Sequence, residues 1–174
     1  MVASRTNAPA LSFDAVVETP IPGVRLGLRM RGEAVTGIVF LGAEAALRPP
    51  RSVFARRAVQ ALDAYFADPR APVAVPYLER GTAFQRRVWA GLRAIPAGVT
   101  RCYSDLAADL RSAPRAVGGA CRANPLPLLT PCHRLVAATG LGGFMGTTSG
   151  SPCEIKAWLI HHEKNGAGAG TGVD

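Results

Sequence analysis

Cys132, His133 and Arg134 stand side by side in TPCHRLV, residues 130–136, just after the apolar run NPLPLL at 124–129. A thiol attacks well only as the thiolate, and a neighbouring base or cation supplies that form. On an extended strand adjacent side chains point to opposite faces, so His133 reaches the sulfur only through a tight turn or a bridging water. Glu163 is a candidate third member that would orient the imidazole. Two other readings stay open. Cys132, His133, Cys153, His161 and His162 could supply metal ligands, although their spacing matches no familiar zinc pattern and neighbouring helical histidines diverge by about 100°. A lone cysteine is also commonly a small buried hydrophobe, the expectation for Cys102, Cys121 and Cys153.

The elements that must position these groups follow from the rest of the chain. Its 174 residues, 48% of them hydrophobic, suffice for one full core or two small domains sharing one. No run approaches the roughly 20 apolar residues that span a bilayer. The first residues lack the long apolar stretch of a signal peptide, so a cytoplasmic protein with no membrane association is expected. None of the four cysteines forms C-x-x-C, and free thiols are expected in a reducing compartment. No cysteine or histidine precedes Cys102, so no metal site is expected in the N-terminal half. The net charge of +8, with its larger share in the C-terminal half, points to a polyanionic partner and first to nucleic acid.

LSFDAVVETP, VRLGLRMRG and AVTGIVFLG alternate or run apolar between Pro and Gly breaks, which predicts two or three antiparallel strands. Residues 52–68 predict a helix capped by Ser52, with Val53, Val59, Leu62 and Tyr65 on its apolar side. The proline-rich stretch 69–82 reads as a short strand and a linker. Thr82 then caps a helix whose stripe is Phe84, Val88, Trp89, Leu92 and Ile95, ended by Pro96 and Gly98. A short helix at 103–110, capped by Ser104, a turn at 111–114 and a third helix at 115–124 make a helix-turn-helix arrangement. Val117-Gly118-Gly119-Ala120 is nearly bare of side-chain bulk. Two interior glycines cost about 1 kcal/mol each. Close packing on another helix and close approach to a nucleic-acid groove both explain them, and the flanking Arg115 and Arg122 favour the groove. A last helix contains Trp158 and Leu159 and gives way to Gly/Ala repeats expected to be disordered over 166–174.

TAFQRRVWAGLRAIPAG, YSDLAADL, RAVGGACRANPLPLLTPCHRLV and IKAWLIHHE, in this order over 82–163, resemble the C-terminal domain of the O6-alkylguanine-DNA alkyltransferases. The resemblance implies an α/β (α+β) chain. A small RNase H-like sheet-plus-helix domain (1–78) would precede a mostly helical, winged helix-turn-helix-like domain (79–165). It also implies direct-reversal repair of O6-alkylguanine, and of O4-alkylthymine, with no cofactor and one irreversible alkyl transfer per molecule. Cys132 would accept the alkyl group. His133 would deprotonate it through water, and Glu163 would orient His133. Asn124 would brace the turn, and Tyr103 would hydrogen-bond the extruded base and supply a proton. Arg115 would fill the gap left in the duplex. Ala116, Val117, Gly118, Gly119, Ala120, Arg122 and Arg134 would complete a minor-groove surface with little sequence specificity. The carbonyls of Cys132 and Leu135 would receive the guanine amine, with Phe144, Met145 and Gly146 on the pocket wall. A monomer of the stand-alone type is implied.

The chain departs from the family pattern at three places. Met145 replaces a tyrosine, with Gly146 where a serine is common; the loop 140–156 is longer; and Thr130 replaces an aliphatic residue. The longer loop suggests a pocket open to bulkier alkyl groups. Non-catalytic relatives that bind alkylated DNA lack the acceptor cysteine. A helix-turn-helix regulator would have no use for PCHR, and a cysteine hydrolase would need an oxyanion hole for which no motif stands out.

Overall fold

The computed structural model describes residues 12–145 and 151–166. Three strands, β1 (Ala15–Glu18), β2 (Val24–Arg31) and β3 (Ala34–Gly42), form an antiparallel sheet in that order. Register pairs Leu26 with Phe40 and Leu28 with Ile38, so alternate side chains share one buried face. Helix α1 (Val53–Ala67) packs beneath it. The Ser52 hydroxyl accepts from the Ala55 amide at 3.0 Å, as its place before the helix predicts. The buried face of α1 is Ala55, Ala58, Leu62 and Tyr65. Val53 is 45% exposed because it sits in the first turn, beyond the reach of the sheet. The stretch 69–82 holds no strand. It contributes one isolated bridge, Tyr77 to Val35.

Helix α2 (Ala83–Arg93) opens with a reciprocal cap. Thr82 Oγ1 accepts from the Gln85 amide, and Gln85 Oε1 accepts from the Thr82 amide. Val88, Trp89 and Leu92 are buried on one stripe, and the Trp89 indole donates to the Ala120 carbonyl at 2.9 Å. A two-residue strand, β4 (Arg101–Cys102), leads into α3 (Tyr103–Asp109). Cys102, not Ser104, is the capping position, and Asp105 accepts from the Cys102 amide. The turn to α4 (Pro114–Arg122) passes through Arg111 at φ 52. Pro114 starts α4 where its missing N–H costs nothing.

The run 124–129 is not extended. It is a series of bends with Leu128 at φ 76, and it delivers Cys132–Arg134 as a single 3-10 turn. Strand β5 (Leu135–Val136) then pairs in parallel with β4. The last helix, α5 (Ser151–Gly166), starts well before Lys156, so the irregular part of 140–156 is shorter than the sequence suggests. The rest of the Gly/Ala tail lies outside the described residues. Buried apolar residues from β1 through α5 form one continuous cluster that includes Cys132.

Candidate active site

The 3-10 turn is held from both ends. The Cys132 amide donates to Thr130 O at 2.8 Å, and the Arg134 amide to Pro131 O at 3.1 Å. Asn124 braces the approach: Nδ2 donates to Thr130 O at 2.8 Å and Oδ1 accepts from the Leu126 amide at 3.0 Å. These bonds place the thiol 8% exposed at the foot of an open cavity of about 810 Å3. Burial pushes the Cys132 thiol up from its ordinary value. A hydrogen bond from Asn124, the Lys156 charge and the amides of the turn pull it back only in part. The resting sulfur is therefore a protonated thiol.

Behind it, His133 Nε2 lies 2.7 Å from Glu163 Oε1, both residues fully buried. Glu163 also accepts from the Tyr65 hydroxyl at 2.9 Å, from Arg134 Nη2 at 2.9 Å and from the Gly98 amide at 3.2 Å. Burial alone would raise its pKa. Hydrogen bonds from His133 and Arg134, together with the Arg134 charge, outweigh that and hold the carboxyl well below the usual carboxylate range. Burial lowers the His133 pKa against the pull of Glu163, so the ring is a neutral imidazole. With Nε2 committed to Glu163, Nδ1 is the nitrogen left to take a proton.

The cavity is walled by Tyr103, by Arg115, Gly118, Gly119, Cys121 and Arg122 of α4, and by Ala137, Gly143, Phe144 and Met145 opposite. Burial raises the Tyr103 phenol above its ordinary value, so it stays a donor. A Cβ built on Gly118 or Gly119 meets nothing within 4 Å. Packing inside the chain therefore does not require these glycines, and their bare face is turned outward.

Residues 83–165 match the family described as 6-O-methylguanine DNA methyltransferase, DNA binding domain. The methylated-DNA–protein-cysteine methyltransferase of Methanosarcina acetivorans is 34% identical over 158 residues, 87% of this chain and 97% of that protein. The chain belongs to the methylated-DNA–protein-cysteine methyltransferase family. The constitutive methyltransferase of Bacillus subtilis is 43% identical over 110 residues, a stretch that spans 64% of that relative. The crystal structure of Mycobacterium tuberculosis O6-methylguanine methyltransferase aligns with TM-score 0.73 at 34% identity, covering 88% of this chain and 93% of that one. A second structure of the M. tuberculosis protein, in complex with DNA, aligns with TM-score 0.69 at 33% identity, covering 87% of this chain and 92% of that one.

In this methyltransferase fold, Cys132, Tyr103, Arg115, Gly118, Gly119, Arg122, Phe144 and Met145 all border one cavity, Asn124 hydrogen-bonds the thiol, and His133, next in the chain, pairs with Glu163. Four expected surface or pocket groups lie elsewhere. Arg134 is not a surface contact. The 3-10 turn swings it inward, where Nε and Nη2 bind Glu163 and Nη1 binds Ile95 O. Val117 and Ala120 face the core because they lie on the inner side of α4. Leu135 is fully buried and does not line the cavity, since β5 is paired with β4 beneath it. Gly146 lies outside the described residues. His161 contacts Asn165, and His162 stacks on Trp158, so neither faces Cys132.

Three contributors were not singled out from sequence. Tyr65 reaches Glu163 from α1, 98 residues away in the chain, and no local pattern announces it. Cys121, half-buried, lines the cavity, with burial pushing its thiol up to about 12. Lys156 is fully buried two helical turns before Glu163, a spacing that shares one helix face and could have been read.

Proposed function

We propose that this chain repairs alkylated DNA by moving the alkyl group of O6-alkylguanine, and of O4-alkylthymine, onto Cys132. The observation that carries the reading is a buried thiol, next to a neutral His133 held by Glu163, at the foot of a cavity whose mouth is a glycine-bare helix flanked by two arginines. A base inside a duplex cannot reach such a thiol, so it must be turned out of the stack. Arg115 then occupies the vacated space, where a planar guanidinium can stack. Gly118 and Gly119 let α4 lie deep in the minor groove. Contact there is weakly sequence-specific, as damage surveillance demands.

The Cys132 proton passes to His133, and Glu163 stabilises the imidazolium. The sulfur forms a bond to the alkyl carbon while the carbon–O6 bond breaks, its electron pair leaving with the guanine. Tyr103 donates to the departing base and is reprotonated from the proton that His133 received. The net exchange is one thiol hydrogen for one alkyl group. The centre attacked is sp3, so no oxyanion hole is needed. The thioether has no way back, and each molecule acts once.

The same reading makes 1–78 an RNase H-like unit and 79–165 a winged helix-turn-helix-like unit of a cytoplasmic monomer. Incubation with a duplex carrying O6-methylguanine, followed by intact mass and peptide mapping, tests it. One methyl group on Cys132, absent in Cys132→Ala, is expected. Binding without a mass change would instead make the chain a damage-binding protein.

A further inference from the structure

The mechanism leaves one buried charge unused. Lys156 is fully buried, and its Nζ donates to the Gly143 carbonyl at 2.9 Å. The same Nζ stands 5.5 Å from the centre of the Tyr103 ring, within cation–π range. The Tyr103 hydroxyl also donates to Gly143 O, at 3.2 Å. One carbonyl thus accepts from both the lysine and the phenol that serves the extruded base, and its two lone pairs allow this.

The consequence is a constraint on how Tyr103 works. Its hydroxyl is occupied, so it must leave Gly143 before it can donate to a base. A buried carbonyl abandoned by its donor costs more than one that keeps a partner. Gly143 sits directly before Phe144 and Met145, two walls of the cavity. Losing its anchor would loosen that wall as the base arrives. The thiols of Cys121, Cys132 and Cys153, the Tyr103 phenol and the neutral His133 ring are the titratable groups around Lys156 among the described residues. With the Cys121 and Cys132 thiols both raised, neither supplies an anion at neutral pH, and the ammonium hydrogen-bonds the Gly143 carbonyl.

Building on the alkyl-transfer reading, we propose that Lys156 is a positioning residue. It anchors the Gly143 carbonyl so that the Tyr103 hydroxyl can pass to the extruded base while the 142–145 wall stays in place. The covalent step itself is unchanged.

The test combines single-turnover transfer with hydrogen exchange in Lys156→Met, Lys156→Arg, Tyr103→Phe and the Met/Phe double variant. Lys156→Met should lower the maximal transfer rate about tenfold, the value of one hydrogen bond, with DNA affinity unchanged. Lys156→Arg keeps a donor and should recover part of the rate. The double variant should be no slower than the slower single one, because both act on one hand-over. Multiplying effects would overturn the proposal. So would a parallel fall in iodoacetamide labelling of Cys132, which would place the action of Lys156 on the thiol. Hydrogen exchange reads the anchor without substrate. The 142–145 amides should stay as protected in Tyr103→Phe as in the wild type, and exchange about tenfold faster in the double variant. Fast exchange in Tyr103→Phe alone refutes the anchor. If the wild type transfers no alkyl group, the functional reading falls, and the anchor is still decided by exchange.

Discussion

Replacing Gly118 and Gly119 by alanine separates what α4 does for the fold from what it does for a partner. Both glycines lie inside the helix, and a Cβ on either meets nothing within 4 Å. Alanine is favoured over glycine by about 1 kcal/mol at such positions, so the double variant should gain up to about 2 kcal/mol. For a chain of this length that raises the melting temperature by about 4–8 °C. The partner meets the opposite situation. Two methyl groups now stand on the face that fronts the cavity beside Arg115 and Arg122. Steric intrusion into a close contact costs about 1–3 kcal/mol, so binding to undamaged duplex should weaken roughly five- to hundredfold. The charge is unchanged, so the slope of log K against log salt should not move. Calorimetry and fluorescence anisotropy at several salt concentrations read all three quantities. A lowered melting temperature would mean that the glycines serve internal packing. A raised one with unaltered binding would mean that DNA does not lie on this face.

Glu163→Gln should destabilise the protein by about 3–5 kcal/mol in urea titrations, because Arg134 and His133 lose the buried anion they share. Methyl transfer should fall with it, whereas an unchanged midpoint would deny Glu163 its structural weight. Stability should also decline with acid in two steps. His133 is held neutral, so the unfolded chain alone binds its proton below about pH 6.5. Glu163 has a depressed folded pKa, so its contribution is complete above about 4.3 and is lost as pH falls towards that folded value. Urea midpoints that stay flat between pH 7 and 5 would contradict a neutral buried His133. Finally, Arg111→Gly should raise the melting temperature slightly, by up to about 1 kcal/mol of stability, since φ 52 strains a residue with a side chain. A fall would show that the arginine side chain contributes more than the strain costs.

Much of the positioning frame is local and therefore legible. Ser52 and Thr82 announce their helices because capping is a contact between residues three apart. The three strands follow from alternation around turns. The trio Cys132, His133 and Glu163 stands out by residue type and by its family resemblance. What escaped depends on direction in space. Arg134 was read as a surface cation because it is basic and adjacent to the site. Successive residues of a 3-10 turn are rotated by about 120°, which sends Arg134 to the interior and onto Glu163. Val117 and Ala120 share a bare sequence with Gly118 and Gly119, but helical period places the first pair inward and the second outward. Cys102 capped α3 although Ser104 has the better capping chemistry, because the β4–β5 pairing already sets where the chain can turn.

The electrostatics of the site suit a nucleophile that is spent once. A thiolate standing ready would react with any small electrophile, and each such event would destroy one molecule. Here burial keeps Cys132 protonated, and the base that must take its proton is itself neutral. Moving that proton creates a thiolate and an imidazolium together. The imidazolium has its countercharge in place, Glu163 at 2.7 Å from the ring, while the sulfur is met by the Asn124 hydrogen bond and the amides of the turn. The ion pair is thus poised but unfavourable until something removes the remaining water or consumes the thiolate. Under the alkyl-transfer reading a flipped base does both, since it fills the cavity and presents the alkyl carbon. Under the alkyl-transfer reading, selectivity for DNA damage over free electrophiles then comes less from recognising the alkyl group than from making activation of the thiol depend on an occupied pocket.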